Sequence, residues 1–325
     1  MSVKTSRRAL VLSIILLLSG AGIGAAIGYA TWGTQVFRSA PKPETITIAI
    51  QPTEASSEIA SRAQQLEAFL ESRVGVDIKI YVPTAYASVV EAVRFGNAQV
   101  AFMSAWPAAI ANKLAGAEIV LAEVREVVIG EDKRNEPFYF SYWVVHKDSP
   151  FNSLSELRGK KVCFPSQIST SGYVFPVARL VELGLITTPE GGEANPSDFF
   201  GEVVFGGGYG QCWTALSVGQ ADVAVIAGDV SETLYRTVID GTRVLEQQGP
   251  IPSHAVVFSK DFKDPLRTKL IDALQELGSP DLRDMMRKFI SGIFVNFKTT
   301  TTSEHLAGLQ EALDLSGFKF TERLG

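Results

Sequence analysis

An α/β architecture in two units is expected for this chain, and three features carry the expectation. From Glu44 onward, short apolar runs alternate with segments of helical periodicity, a pattern that implies a parallel-type sheet. A longer apolar run over 139–145 separates two such series. In the second series a strand at 160–164 passes through a hydroxyl-rich turn straight into a helix. At 325 residues the chain suits two units of common size.

The N-terminus stands apart from that body. Lys4, Arg7 and Arg8 precede an almost uncharged apolar run over 9–32, and polar Pro41-Lys42-Pro43-Glu44 follows. Residues 1–43 therefore read as an export signal or a membrane anchor with its linker. The run exceeds the roughly 7–15 residues of a cleaved signal core and reaches the roughly 20 that cross a bilayer, which favours an uncleaved anchor helix. The basic tip then stays in the cytoplasm, and the body is extracytoplasmic. No Cys lies near the end of the apolar run, which excludes a bacterial-type lipid anchor.

Within the body, 46–50 is a strand, 57–72 an amphipathic helix and 76–82 a second strand. Helix 86–95, buried strand 100–103 and small helix 107–114 come next. The run 139–145 is long enough to cross between units. Beyond it lie strand 160–164, the hydroxyl turn, helix 173–183 ended by Gly184, strand 203–205, a helix near 211–218 and strand 223–226. Residues 189–199 make a surface loop. Residues 254–258 form a return strand, and the remainder to 325 is mostly helical. Two crossings make a hinge, so the expected lobes are 44–137 with 254–325, and 138–253.

The hydroxyl turn is where chemistry concentrates. Ser169, Thr170, Ser171 and Gly172 follow a strand and open a helix, where free backbone N–H groups and the positive end of the helix dipole converge. A single hydroxyl would serve as an ordinary cap; three in a row suit a phosphate-like oxyanion, each charge-assisted bond contributing roughly 1.5–3 kcal/mol. A net charge of −5 argues against nucleic acid as a partner but not against a small anion, which responds to local dipoles. Cys163 and Cys212 are the two cysteines; they can pair, but sequence does not give their separation. His146, His254 and His305 show no metal spacing, no cofactor fingerprint is present, and no general base is nominated for Ser169 or Ser171. The hydroxyls read as donors and the chain as a binding protein, not an enzyme. Trp106 and Trp213 are assigned to packing.

Several stretches together resemble a known family. They are Tyr86-Ala87-Ser88, Tyr139-Phe140-Ser141, Leu157-Arg158-Gly159-Lys160-Lys161-Val162, Ser169-Thr170-Ser171-Gly172-Tyr173, Gly219-Gln220-Ala221-Asp222-Val223-Ala224 and Ile251-Pro252-Ser253. In order and spacing the chain is similar to the solute-binding proteins of ABC importers for phosphonates, phosphite and phosphate-like oxyanions. The resemblance implies an α/β, two-lobed type II periplasmic-binding-protein fold with a two-crossing hinge, here behind an N-terminal anchor. It implies a monomer that captures a small phosphorus oxyanion and delivers it to a permease and its ATPase. Other organic anions such as sulfonates, or a sensory role without transport, are the alternatives.

Carried over by position, the implied ligand contacts are Tyr86, Tyr139, Ser169, Thr170 and Ser171. Tyr209, Asp229 and His254 stand where binders of amino-phosphonates place a His, a Glu and a further acidic residue. These departures weaken the case for recognition of an amine. A neighbouring negative charge would favour protonated His254 as a positive partner for an anion; a hydrogen bond at the hinge is the other reading of that imidazole.

Overall fold

The computed structural model describes residues 45–319 apart from positions 54, 130 and 290. The expected anchor over 9–32 lies outside the described residues. Among the described residues no helix is long and apolar enough to cross a membrane.

Two sheets organise the chain. The first holds Thr45–Ile50 (β1), Asp77–Tyr81 (β2), Val100–Met103 (β3), Glu118–Ile129 (β4), Asp132–Glu136 (β5), Ala255–Phe258 (β11) and Phe294–Thr299 (β12). Its order is β12-β4-β11-β3-β1-β2, with β5 paired to β4. The second holds Phe138–His146 (β6), Lys161–Phe164 (β7), Glu202–Phe205 (β8), Val223–Ala227 (β9) and Thr242–Pro252 (β10), in the order β10-β6-β9-β7-β8. The chain leaves the first sheet between β5 and β6 and returns between β10 and β11.

The sheets are mixed, which corrects the parallel-type expectation. β1 runs parallel to β2 and β3, and β7 runs parallel to β8 and β9. β11 inserts antiparallel between β3 and β4, and β6 pairs antiparallel with both β9 and β10. Strand–helix alternation reports only the parallel βαβ parts, because antiparallel neighbours need no crossover helix. The C-terminal remainder is mostly helical, as expected, with β12 an added strand within it.

Helices Ser56–Val74 (α1), Tyr86–Arg94 (α2) and Ala105–Ala115 (α3) flank the first sheet. Alternation along β1 decides which face each helix covers: Ile46, Ile48 and Ile50 pack with Leu66 and Leu70 of α1, whereas Ala49 faces Val89, Val93 and Ile110 of α2 and α3. Burying each large aliphatic side chain contributes roughly 1.5–3 kcal/mol. Helices Leu266–Glu276 (α7) and Pro280–Phe289 (α8) add Leu270, Leu274, Met286 and Phe289 to the α1 side.

Around the second sheet lie Phe175–Glu182 (α4), Tyr209–Ser217 (α5) and Glu232–Gly241 (α6). Trp143 of β6 packs between Phe164 and Phe200, at centroid separations of 5.6 and 5.8 Å. The last helices, Thr302–Leu306 (α9) and Gln310–Ser316 (α10), end against α4, where Phe318 stacks on Tyr173 at 5.3 Å. The irregular segment 189–199 is tied to that tail, for Ala194 N–H donates to the Ser316 carbonyl at 2.8 Å.

Candidate functional site

The C-terminal ends of strands from both sheets point to one place. β1 leads to Gln51 and Thr53, β3 to Ser104 and the start of α3, and β7 to the hydroxyl turn. β8 leads through Gly206-Gly207-Gly208 to Tyr209, the first residue of α5, and β9 leads to Asp229. Tyr86 is the first residue of α2. Several helix starts therefore meet here, each with N–H groups that have no partner within the helix and with a partial positive charge.

The hydroxyl turn is shaped by its own residues. Ser169 caps it, its Oγ accepting from Gly172 N–H at 3.1 Å, and Thr170–Val174 form a single π-helical turn leading into α4. Both Tyr173 N–H and Val174 N–H donate to the Ser169 carbonyl at 3.0 Å. Gly172 is required by close approach: a Cβ there would lie 2.1 Å from Pro165 Cγ and 2.7 Å from Ser169 Oγ. π-turns of this kind recur at functional sites.

The side chains named from sequence converge. Tyr139 donates to Ser171 Oγ at 2.7 Å, and Ser171 Oγ in turn lies 2.7 Å from the Tyr209 hydroxyl. Ser169 Oγ is 3.3 Å from the same phenol. The Tyr86 hydroxyl makes no ordinary hydrogen bond among the described residues, although Ser169 and Gln51 stand near enough to favour its ionised form. All eight candidate residues are sealed, from 0 % exposure at Tyr139 and Thr170 to 6 % at His254. Burial pushes the phenols of Tyr86, Tyr139 and Tyr209 well up, so they remain neutral donors.

Contacts also run between the parts built on each sheet. Trp106 N–H, in the first turn of α3, donates to Thr170 Oγ1 at 2.7 Å, and Tyr209 N–H donates to the Thr53 carbonyl at 3.0 Å. Trp106, assigned to packing from sequence, thus touches the cluster through its backbone. Trp213 packs on Gly241, outside it. An open groove of about 730 Å³, lined by Gln65, Glu232, Arg236 and Lys288 among others, includes none of the cluster.

Beside the hydroxyls lies an ionic trio, of which sequence reasoning named Asp229 and missed Glu123 and Arg125. Arg125 of β4 holds Glu123 Oε2 at 2.8 Å and Asp229 Oδ2 at 2.7 Å through Nη2, with its guanidinium 4.3 Å from the centroid of the Tyr139 ring. Glu123 and Arg125 are two apart on a strand and so share a face. Burial raises the carboxyls of Glu123 and Asp229, with Arg125 opposing. Burial also lowers the guanidinium, but Asp229 and Glu123 outweigh it and hold it above its ordinary value.

This trio corrects the expectation of a cationic His254. Its Nε2 lies 3.7 Å from Asp229 Oδ2, yet burial, Arg125 and His305 hold the imidazole well below its usual range. The negative charge that would have protonated it is already matched by an arginine.

The cysteines are joined, with Cα atoms 5.4 Å apart, linking the end of β7 to α5. The bridge fastens the strand feeding the hydroxyl turn to the helix carrying Tyr209. Gly206 lies against it, where a Cβ would come within 2.9 Å of Cys212 Sγ and 3.2 Å of Cys163 Sγ. Among the described residues, no group of three or more His, Cys, Asp or Glu could hold a metal ion.

Known proteins resemble this chain in sequence and in fold. The chain is 33% identical over 200 residues to the "Phosphate-import protein PhnD" of Mycolicibacterium smegmatis, covering 61% of this chain and 59% of that protein. It is 23% identical over 218 residues to the "Phosphonates-binding periplasmic protein" of Escherichia coli, covering 64% and 59%. The match thus spans about three fifths of each relative's length. In fold it resembles the binding-protein component of an ABC phosphonate transporter from Pseudomonas aeruginosa, with a TM-score of 0.70, 19% identity, and 84% of this chain and 87% of that one covered. It also resembles PhnD1 of Prochlorococcus marinus in complex with methylphosphonate, with a TM-score of 0.66, 15% identity, and 84% and 98% covered. Residues 48–304 match the family described as "ABC transporter, phosphonate, periplasmic substrate-binding protein", and the chain belongs to that family.

Proposed function

We propose that this chain is the extracytoplasmic substrate-binding component of an ABC importer and captures a small phosphorus oxyanion by hinge closure. The observation that carries the reading is the convergence of neutral hydroxyl donors and helix starts from both sheets on one sealed place. Hydroxyls held in place by one another can redirect their protons to an anion by rotation of the O–H groups, and neutral phenols do so without repelling it. The relative named for phosphate import and the neighbour in complex with methylphosphonate support the same ligand class.

On this reading the contacts are Tyr86, Tyr139, Ser169, Thr170, Ser171 and Tyr209, with Asp229 and His254 beside them. The fold is of the type II periplasmic kind, with lobes 44–137 plus 254–325 and 138–253 turning about the two crossings. The final helix reaches over to α4 and limits how far they part. The protein acts as a monomer, is held at the membrane by residues 9–32, and hands its ligand to a permease driven by an ATPase. It carries out no chemistry on the ligand. Calorimetry on the full chain against phosphate, phosphite, methylphosphonate and methanesulfonate tests this. Binding of at least one phosphorus compound ahead of the sulfonate is expected; silence toward all three, or preference for the sulfonate, overturns it.

A further inference from the structure

Asp229 is the one carboxylate among the eight candidate contact residues. It is 3 % exposed, and its charge acts on the Tyr86, Tyr139 and Tyr209 phenols, so it belongs to the same enclosure as the hydroxyls. A buried carboxylate in that position would be the natural partner for an ammonium group carried by a ligand. Here the partner is internal. Arg125, itself 0 % exposed, places Nη2 2.7 Å from Asp229 Oδ2, while its guanidinium covers the ring of Tyr139, whose hydroxyl bonds Ser171. Arginine does not give up its proton in proteins, so this cation cannot withdraw by titration.

Resting on the reading of the site as a phosphorus-oxyanion seat, we infer that Arg125 is a specificity-determining residue: by engaging Asp229 it removes the carboxylate among the contact residues that could receive a cationic substituent, and it holds the neighbouring Glu123 as well. The site then admits phosphate, phosphite and phosphonates with uncharged alkyl substituents and rejects phosphonates bearing an amine. An ammonium arriving at Asp229 would meet the field of a guanidinium in a region of low dielectric, where like charges repel strongly. To replace Arg125 it would have to strip a buried cation of one of its two carboxylates. His254 offers no second acidic partner, and its Nε2 lies on the same Asp229 oxygen at 3.7 Å.

A matched ligand pair tests this, because propylphosphonate and 2-aminoethylphosphonate differ by a terminal methyl against a terminal ammonium. Calorimetry on the full wild-type chain is expected to give at least tenfold tighter binding of propylphosphonate. Arg125→Met releases Asp229 and should shift that ratio at least tenfold toward the amine, whereas Arg125→Lys, which keeps the charge, should leave the preference in place. Should Arg125→Met fail to fold, Arg125→Gln, which keeps a hydrogen-bond donor toward Asp229 but no charge, decides the matter: it too should shift the ratio toward the amine. Equal or tighter wild-type binding of 2-aminoethylphosphonate, or an unmoved ratio in a folded Arg125→Met or Arg125→Gln, overturns the inference while leaving the oxyanion seat intact. Absence of binding to phosphate, phosphite and both phosphonates overturns the seat and the inference with it.

Discussion

The hydroxyl cluster and the ionic trio beside it are equally sealed from water, but the first is built of neutral donors and the second of formal charges. Ser169, Ser171, Tyr139 and Tyr209 satisfy one another through bonds of 2.7 to 3.3 Å and need no counter-ion. Glu123, Arg125 and Asp229 persist only as a set, since any member alone would be a desolvated charge. The difference separates two tasks. Neutral groups can be offered to an incoming anion, because swapping one hydrogen bond for another changes little. Charged groups must stay with their partners, and they set the field in which the neutral ones operate.

Removing the cation should therefore produce the largest effect. Arg125→Met leaves two buried carboxylates without compensation and is expected to cost about 3–5 kcal/mol of folding stability, read as a lowered urea midpoint. A cost below about 1 kcal/mol would show that the trio is not internally balanced. Next comes the bridge that holds the hydroxyl cluster's two supports together. Replacing Cys163 and Cys212 by Ala removes a cross-link spanning 49 positions, and chain entropy puts the loss at about 4 kcal/mol. Denaturation of the double variant beside the wild type measures it, and an unchanged midpoint would mean that packing alone positions Tyr209.

Acid should act through the imidazoles near the trio. Burial brings His305 down to about 4 and holds His254 well below its ordinary range. Below about pH 6.5 the unfolded chain takes up protons that the folded one refuses, so stability falls as pH drops from about 6.5 toward about 4, by about 3 kcal/mol for His305. The raised carboxyls of Glu123 and Asp229 act in the opposite sense, as the folded form accepts their protons more readily. His305→Gln, which can still donate to the Ser253 carbonyl, should flatten the acid limb of a stability–pH curve; an unaltered slope would assign that limb elsewhere. The smallest effect belongs to the neutral cluster: Thr170→Val keeps shape but withdraws the acceptor of Trp106 N–H and, on the proposed reading, a donor to the ligand. Phosphate affinity should weaken by about 1 kcal/mol, several-fold, and an unchanged dissociation constant would remove Thr170 from the seat.

The same contrast explains what could be read from the chain beforehand. Ser169, Thr170 and Ser171 are consecutive between a strand and a helix, so their chemistry is local and legible. Tyr86 and Tyr139 came through the order and spacing of the family pattern. Arg125 could not be found in that way, since it meets Asp229 only through the tertiary fold. The strand that carries it, Glu118–Ile129, was hidden because Glu123, Arg125 and Glu126 break up its apolar run and make it look like surface. Buried charges satisfied by distant partners defeat a reading based on hydropathy. Strand β12 and the antiparallel direction of β11, whose span was legible, were obscure for a related reason, as their pairing depends on contacts remote in sequence. The disulfide needed a distance that only the fold supplies.

The depth of the hydroxyl cluster bears on timing as well as affinity. A ligand seated among residues almost closed to solvent can leave only after the surrounding elements part, so its residence time follows the frequency of that motion more than the strength of any single contact. Substitutions far from the seat, at the two chain crossings or where the tail meets α4, would then alter how long cargo is held without touching the groups that hold it.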